Sequence, residues 1–321
     1  MRHIPVLIEH IREIFVPLRS CSNAVFIDCT LGLGGHSREI LELCRGITLI
    51  GIDKDSNAIA LARENLADFS DRIEILHANF AQGFAQALEL ARSQNKRVVG
   101  VLADIGVSSL QLDDMSRGFS FISDRLDMRM DTRQAQSASS IIAEYSQYAL
   151  EEILRNYGQI PESKKMARLI KEFANTYPRD GGFYNAQSLS EFISKHFSKH
   201  RPHSKLHAAT LAFQALRIEV NNELGVLRAL LDSIEQASSA DLRGAIVGII
   251  SFHSLEDRLV KERFKHFARA CICPSDAIRC TCGANHSKGT ILTKKPLVAN
   301  PKEVCANPRS RSAKLRAFAL Q

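Results

Sequence analysis

Val25-Phe26-Ile27-Asp28-Cys29-Thr30-Leu31-Gly32-Leu33-Gly34-Gly35-His36-Ser37 is the stretch around which the chain is organised. A short apolar run ending in Asp28 reads as a parallel strand covered on both faces. Glycines follow at 32, 34 and 35, and Ser37-Arg38-Glu39-Ile40-Leu41-Glu42-Leu43 then resumes with helical spacing. The pattern predicts a strand, a tight turn and a helix start. Glycine is needed where the chain takes positive φ or where backbone must touch a ligand without a Cβ between them. The N–H groups of a helix start attract an anionic group. A nucleotide-like ligand is the natural occupant, although a glycine turn with no ligand has the same local pattern.

Outward from this turn the rhythm is that of an α/β protein. Leu49-Ile50-Gly51-Ile52-Asp53 is a second apolar strand ending in an acid, where doubly wound folds place a carboxylate on ribose hydroxyls. Asp55 reads as the cap of a helix from Asn57 to Ala67. Arg72-Ile73-Glu74-Ile75-Leu76-His77 alternates as a third strand, and Asn79-Phe80 opens a helix to Arg92. Val98-Val99-Gly100-Val101-Leu102-Ala103-Asp104 is a fourth strand, again closed by an acid. Acids at several strand C-termini fit the rule that ligands sit at that edge of an open parallel sheet.

After Asp104 the pattern changes. From 115 to 205 come polar loops (Asp124 to Gln136) and amphipathic stretches near Ser139–Tyr157, Glu162–Thr176 and Ala186–Lys199, with Lys164, Lys165, Lys195, Lys199, His200, Arg201 and Lys205 making the segment basic. This predicts an inserted helical subdomain over 115–205, within a sheet domain made of 1–114 and 206–321. Leu206 to Gln236 is helical with a hinge near Asn221-Asn222, and Gly244 to Phe252 is a late strand followed by a helix capped by Ser254. The tail from Cys271 to Arg311 has little periodicity, and Lys314 to Leu320 closes as a strand.

The chain has 321 residues, 45% of them hydrophobic, enough for a sizeable core. Its formal net charge of +7 favours a polyanionic partner without selecting one. No apolar run approaches the roughly 20 residues that span a bilayer, and Glu9, Arg12 and Glu13 break the amino-terminal stretch before an export segment forms. A cytoplasmic address and reduced cysteines are the expectation. Monomer and homodimer are equally compatible with the composition.

Asp104-Ile105-Gly106-Val107-Ser108-Ser109-Leu110-Gln111-Leu112-Asp113 is dense in small polar groups just past a strand end. An acid there suits transfer to an exocyclic amine. Such an amine is a poor nucleophile until acceptors hold its hydrogens and stabilise the charge that develops on nitrogen. The plainer alternative is an Asp that caps the next turn. Ser251-Phe252-His253-Ser254-Leu255-Glu256-Asp257-Arg258 places His253 at a strand end, suited to relay a proton or to lie beside a capping box. A serine-hydrolase reading fails for want of a Gly-x-Ser-x-Gly elbow. Cys271-x-Cys273 and Cys280-x-Cys282 read either as loop thiols or as a four-thiolate zinc site with tighter spacing than usual. No metal is needed for the chemistry above.

Together these stretches resemble the RsmH (MraW) family of bacterial 16S rRNA cytosine-N4 methyltransferases. The resemblance runs from His3-Ile4-Pro5-Val6-Leu7 through the glycine turn, Gly106-Val107-Ser108-Ser109, Arg117-Gly118-Phe119-Ser120-Phe121 and Asp127-Met128-Arg129-Met130-Asp131. It continues through Phe213 to Ile218, Ser251 to Arg258 and Asn307 to Arg316. It implies a class I AdoMet-dependent methyltransferase fold with an inserted substrate-recognition domain. S-adenosyl-L-methionine would be the methyl donor and a decoding-centre cytidine of 16S rRNA in the small ribosomal subunit the target. The family's cofactor positions fall on Gly34, Gly35, His36, Asp53, Phe80, Asp104 and Gln111. Asp104 and His253 are the catalytic candidates. A binding-only assembly factor and an NAD-dependent oxidoreductase are the rival readings.

Overall fold

The computed structural model describes residues 5–197, 208–237, 239–274 and 279–321. The described chain divides into two compact units, residues 1–106 with 226–321 and residues 107–225.

The first unit is built on one sheet. Its strands are β1 (Ser22–Asp28), β2 (Gly46–Asp53), β3 (Ile73–His77), β4 (Arg97–Asp104), β5 (Ile246–Ser251), β6 (Gly289–Ile291), β7 (Leu297–Val298) and β8 (Lys314–Leu320). They run in the order β3-β2-β1-β4-β5-β8-β6, with β7 on β8. The first five are mutually parallel, and β8 is antiparallel to β5. This is the doubly wound order in which the direction of winding reverses between β1 and β4.

The sheet is buried because its strands are apolar on both sides. Val25 and Ile27 face one cluster with Ile50, Ile52, Val101 and Val247, while Phe26 faces another with Leu49, Leu102 and Ile250. Helices α1 (Ile8–Phe15) and α2 (Gly35–Leu43) cover the second face, α3 (Ser56–Asn65) crosses from β2 to β3, and α4 (Phe80–Ser93) covers the first. Helix starts follow their caps: the Asp55 side chain accepts from the Asn57 N–H, and that of Asn79 accepts from Ala81 and Gln82.

The second unit is helical, with α5 (Ser109–Asp113), α6 (Ala138–Glu144), α7 (Gln147–Asn156), α8 (Ser163–Thr176), α9 (Ala186–Phe197) and α10 (Ala208–Asn221). Its boundaries fall outside the 115–205 expected from the sequence. The reason is α10, whose Ala209, Ala212, Phe213 and Leu216 are buried with Ile141, Leu150, Met166 and Phe173 in a core of the unit's own. The stretch expected as one helix over Ser139–Tyr157 breaks at Tyr145, because the Ser146 hydroxyl caps a new start by accepting from Ala149. The polar loop before it is tied down. Arg129 grips Asp127 with both ends of its guanidinium at 2.5 and 3.0 Å, and Asn221 bonds the backbone of Met128 and Met130 at 2.8 Å each.

Back at the sheet domain, α11 (Glu223–Gln236) begins at the unit boundary after the expected hinge, where Asn222 takes φ +48°. Then come α12 (Ser239–Leu242), α13 (Ser254–Phe267) and α14 (Pro301–Ala306). Strands β6 and β7 and helix α14 lie in the tail expected to be aperiodic. Lys199, His200, Arg201 and Lys205 lie outside the described residues.

Candidate functional site

Strands β1, β2 and β4 each end on an acid, Asp28, Asp53 and Asp104, at one edge of the sheet. Their environments differ. Asp28 is consumed by the turn it starts: Oδ1 accepts from the Thr30 N–H at 3.1 Å and Oδ2 from the Ser37 hydroxyl at 2.6 Å. It is 1% exposed, and burial pushes its acidity up despite those donors. Asp53 braces the same turn from the neighbouring strand, taking the Gly32 N–H on Oδ2 at 2.8 Å and the Asp55 N–H on Oδ1 at 2.9 Å. Burial raises its pKa as well.

The turn between them is tight. Gly34 takes φ +79° as it caps α2, and a Cβ on Gly35 would lie 2.4 Å from Cγ of Pro5. Larger residues would be strained at the first and would collide at the second.

Asp104 is the least satisfied of the three. Its backbone N–H donates to Oγ1 of Thr30 at 2.6 Å, which welds the end of β4 to the glycine turn. Its Oδ2 lies 3.6 Å from Nδ1 of His36. Its Oδ1 is shut off from solvent with no hydrogen-bond partner among the described residues. Burial, reinforced by the charges of Asp28 and Glu256 and opposed by His36, raises the carboxyl pKa to about 6. Buried acceptors without donors are rare in folded proteins and mark functional sites.

His36 is oriented by the opposite side of its ring. Nε2 sits 2.8 Å from the Val6 carbonyl, which can only accept, so Nε2 carries a proton and Nδ1 turns toward Asp104. In the neutral ring that atom is a bare lone pair, so the two facing groups favour holding one proton between them.

His253 is placed by its helix. It is the N-cap of α13, where the sequence pointed to Ser254. Its Nδ1 accepts from the Glu256 N–H at 3.4 Å, and its Nε2 lies 3.1 Å from Oε1 of the same residue. Glu256, fully buried, returns Oε2 to the N–H groups of Phe252 and His253 at 2.9 and 3.3 Å. Phe80 is the first residue of α4, half-buried against the core cluster that includes Ile52 and Phe84. Gln111 belongs to the helical unit; it is buried, and its side chain accepts from the Ser108 N–H at 3.2 Å.

Gly34, Gly35, His36, Asp53 and Asp104 therefore gather in one unit around one turn, whereas Gln111 belongs to the other unit. Sequence reading missed Thr30 and Glu256. Thr30 stands where the methyltransferase turn usually begins with glycine, and that departure was the visible signal.

A parallel sheet with this strand order, closed by an antiparallel strand and carrying a glycine turn braced by the acids of β1 and β2, is the class I methyltransferase fold. The chain belongs to the MraW methylase family, whose sequence profile matches residues 1–321. It is 50% identical over 316 residues to the ribosomal RNA small subunit methyltransferase H of Wolinella succinogenes, covering 98% of this chain and 97% of that protein. The protein of the same name from Helicobacter pylori strain P12 is 49% identical over 316 residues, covering 98% and 96%. Among solved structures, an rRNA methylase from Streptococcus thermophilus aligns over 100% of this chain and 98% of that chain at 9% identity and a TM-score of 0.38. That similarity is too low to bear on the fold.

Proposed function

We propose that the protein transfers a methyl group from S-adenosyl-L-methionine to the exocyclic N4 of a decoding-centre cytidine in 16S rRNA, within the cytoplasmic small ribosomal subunit. Family membership and relatives of about 50% identity named as small-subunit rRNA methyltransferases support the substrate class. The observation that carries the chemistry is the buried, donorless Oδ1 of Asp104 beside the glycine turn.

The residues present suit the cofactor. Gly34, Gly35 and the start of α2 would receive its amino-acid end, Asp53 its ribose, and Phe80 an aromatic ring. His36, Asp104 and Gln111 complete the set. When bound, the cofactor supplies an electrophilic methyl group on a sulfonium.

The remaining work falls to the chain. Asp104, ionised at neutral pH, accepts a hydrogen from the amine, lets the nitrogen turn pyramidal and opposes the positive charge that develops there. The surplus proton then passes to a carboxylate of pKa about 6, beside a histidine ring poised to share it. Both ring nitrogens of His253 are engaged with Glu256, so its part is to fix the start of α13. The cytidine must be unstacked, since N4 is inaccessible inside a helix. The helical unit would recognise the substrate. Exposed Lys164, Lys195, Arg309 and Arg311, with half-exposed Lys165, would hold phosphates. No helix of the described residues is long and apolar enough to cross a membrane.

The direct test is transfer of tritiated methyl from AdoMet to small subunits lacking the modification, followed by nucleoside mass spectrometry. N4-methylcytidine at one site is expected, and none with Asp104→Ala. Absence of AdoMet binding by titration calorimetry, or tight NAD binding in its place, would remove the reading.

A further inference from the structure

Residues 268–288 join α13 to β6, and among those described in this segment not one is buried. Yet four cysteine sulfurs converge in it. Sγ of Cys271, Cys280 and Cys282 form an equilateral triangle with edges of 3.6 Å, and Cys273 brings a fourth sulfur, all lying within 4.8 Å of one another. A tetrahedral zinc ion with Zn–S distances of about 2.3 Å requires sulfurs about 3.8 Å apart. The triangle is thus close to one face of such a tetrahedron. The edges are far too long for S–S bonds of about 2.05 Å, and all four thiols are free.

We propose that Cys271, Cys273, Cys280 and Cys282 bind one zinc ion as four thiolates, a structural site apart from the methyl-transfer edge. Backbone donors are already aimed at two of the sulfurs: the Thr281 N–H at Cys273 (3.3 Å) and the Ile272 N–H at Cys282 (3.4 Å). N–H groups in that position stabilise the negative charge of a thiolate ligand. The flanks are anchored. His286 and Lys288 donate their backbone N–H groups to Ala270 and Phe267 at 3.0 and 2.7 Å, and Nε2 of His286 meets the Cys282 carbonyl at 2.9 Å.

A segment without a core of its own must be ordered by something else, and in small modules of this kind metal binding supplies the folding free energy. Each thiol gives up its proton on binding, with no change of oxidation state. A closed shell of four thiolates leaves no open position for catalysis, so the ion's part is structural.

The test uses the full chain, purified without chelator under reducing conditions. Elemental analysis is expected to return one zinc per chain, with cobalt(II) substitution giving the intense thiolate charge-transfer and tetrahedral ligand-field bands of a four-sulfur site. Cys271→Ser combined with Cys282→Ser should reduce the metal to background. Cys305→Ser, which removes an exposed thiol elsewhere, should leave it at one. Chelation should raise amide hydrogen exchange at Ile272 and Thr281. A chain with no zinc and four titratable thiols would overturn the proposal, as would iron in place of zinc or a pair of disulfides in the reduced preparation. Should the double variant prove insoluble, the zinc content and cobalt spectrum of the unmodified chain decide the matter.

Discussion

Replacing Asp104 by Asn should make the protein inactive and more stable at once. The substitution keeps the shape and removes a charge that the fold holds at a penalty. The carboxyl pKa rises from 3.8 to about 6 through burial and the nearby acids, net of help from His36. At about 1.4 kcal/mol per pH unit, this is about 3 kcal/mol of destabilisation at neutral pH, an upper figure for a side chain that is 25% exposed. For domains of this size 1 kcal/mol moves the melting temperature by about 2–4 °C, so Asp104→Asn should melt about 5–10 °C higher at pH 7. Its advantage should also depend on pH in a defined sense. Between 3.8 and about 6 the folded protein binds the proton that the unfolded chain has released. The wild type therefore gains stability as pH falls through that window, and the two proteins should converge below it. Turnover should drop by about 10²–10³, the loss typical of removing one group that stabilises transition-state charge. Calorimetric melts across pH, paired with methyl transfer to small subunits, read both effects. A variant that melts lower at pH 7 would mean the carboxylate is structural, and one with normal turnover would take Asp104 out of the chemistry.

The rate profile of the wild type should show an acid limb near pH 6, falling as Asp104 is protonated and loses its acceptor; a flat profile down to pH 4.5 would contradict its role. His253→Ala should cost about 0.5–2 kcal/mol as a lost cap, whereas His253→Asn, a good capping residue, should recover the stability and most of the activity. A well-folded but inactive His253→Asn would return the histidine to catalysis. Asp53→Ala should weaken AdoMet by about 1–3 kcal/mol in titration calorimetry and also lower the melting temperature, because Gly32 and Asp55 lose their acceptor; unchanged affinity would end its ribose assignment. Gly35→Ala should destabilise by about 1–3 kcal/mol as its Cβ meets Pro5, and an unshifted melt would show that the segment before α1 yields.

The sheet was legible because parallel strands covered on both faces must be apolar throughout, and β1, β2, β4 and β5 are. The hinge at Asn222 and the caps at Asp55 and Asn79 were legible from local chemistry alone. Strands β6 and β7 were not, having three and two residues, too few to show a period. The reach of the helical unit was hidden because α10 is apolar enough to belong to either core; only its neighbours decide. The same holds for the cap of α13. Ser254 is the better capping residue by propensity, and His253 takes the position because the buried Glu256 completes the box.

The three strand-end acids make the point most sharply. In the sequence they are equivalent, each an aspartate closing an apolar run beside a ligand edge. What separates them is how much hydrogen-bonding capacity the folded chain leaves over. Asp28 spends both oxygens on the turn and the helix it precedes. Asp53 gives one backbone N–H to each oxygen and keeps its further lone pairs for a ligand hydroxyl. Asp104 receives its tether through its own backbone N–H, which leaves Oδ1 buried and without a donor. An isolated buried acceptor lowers stability unless a ligand donor meets it, so its presence at the ligand edge is the physical reason for assigning the amine to Asp104 and not to its two neighbours. That surplus is a tertiary quantity, set by Thr30 and His36 from other strands and helices, and no reading of residues in order could have ranked the three.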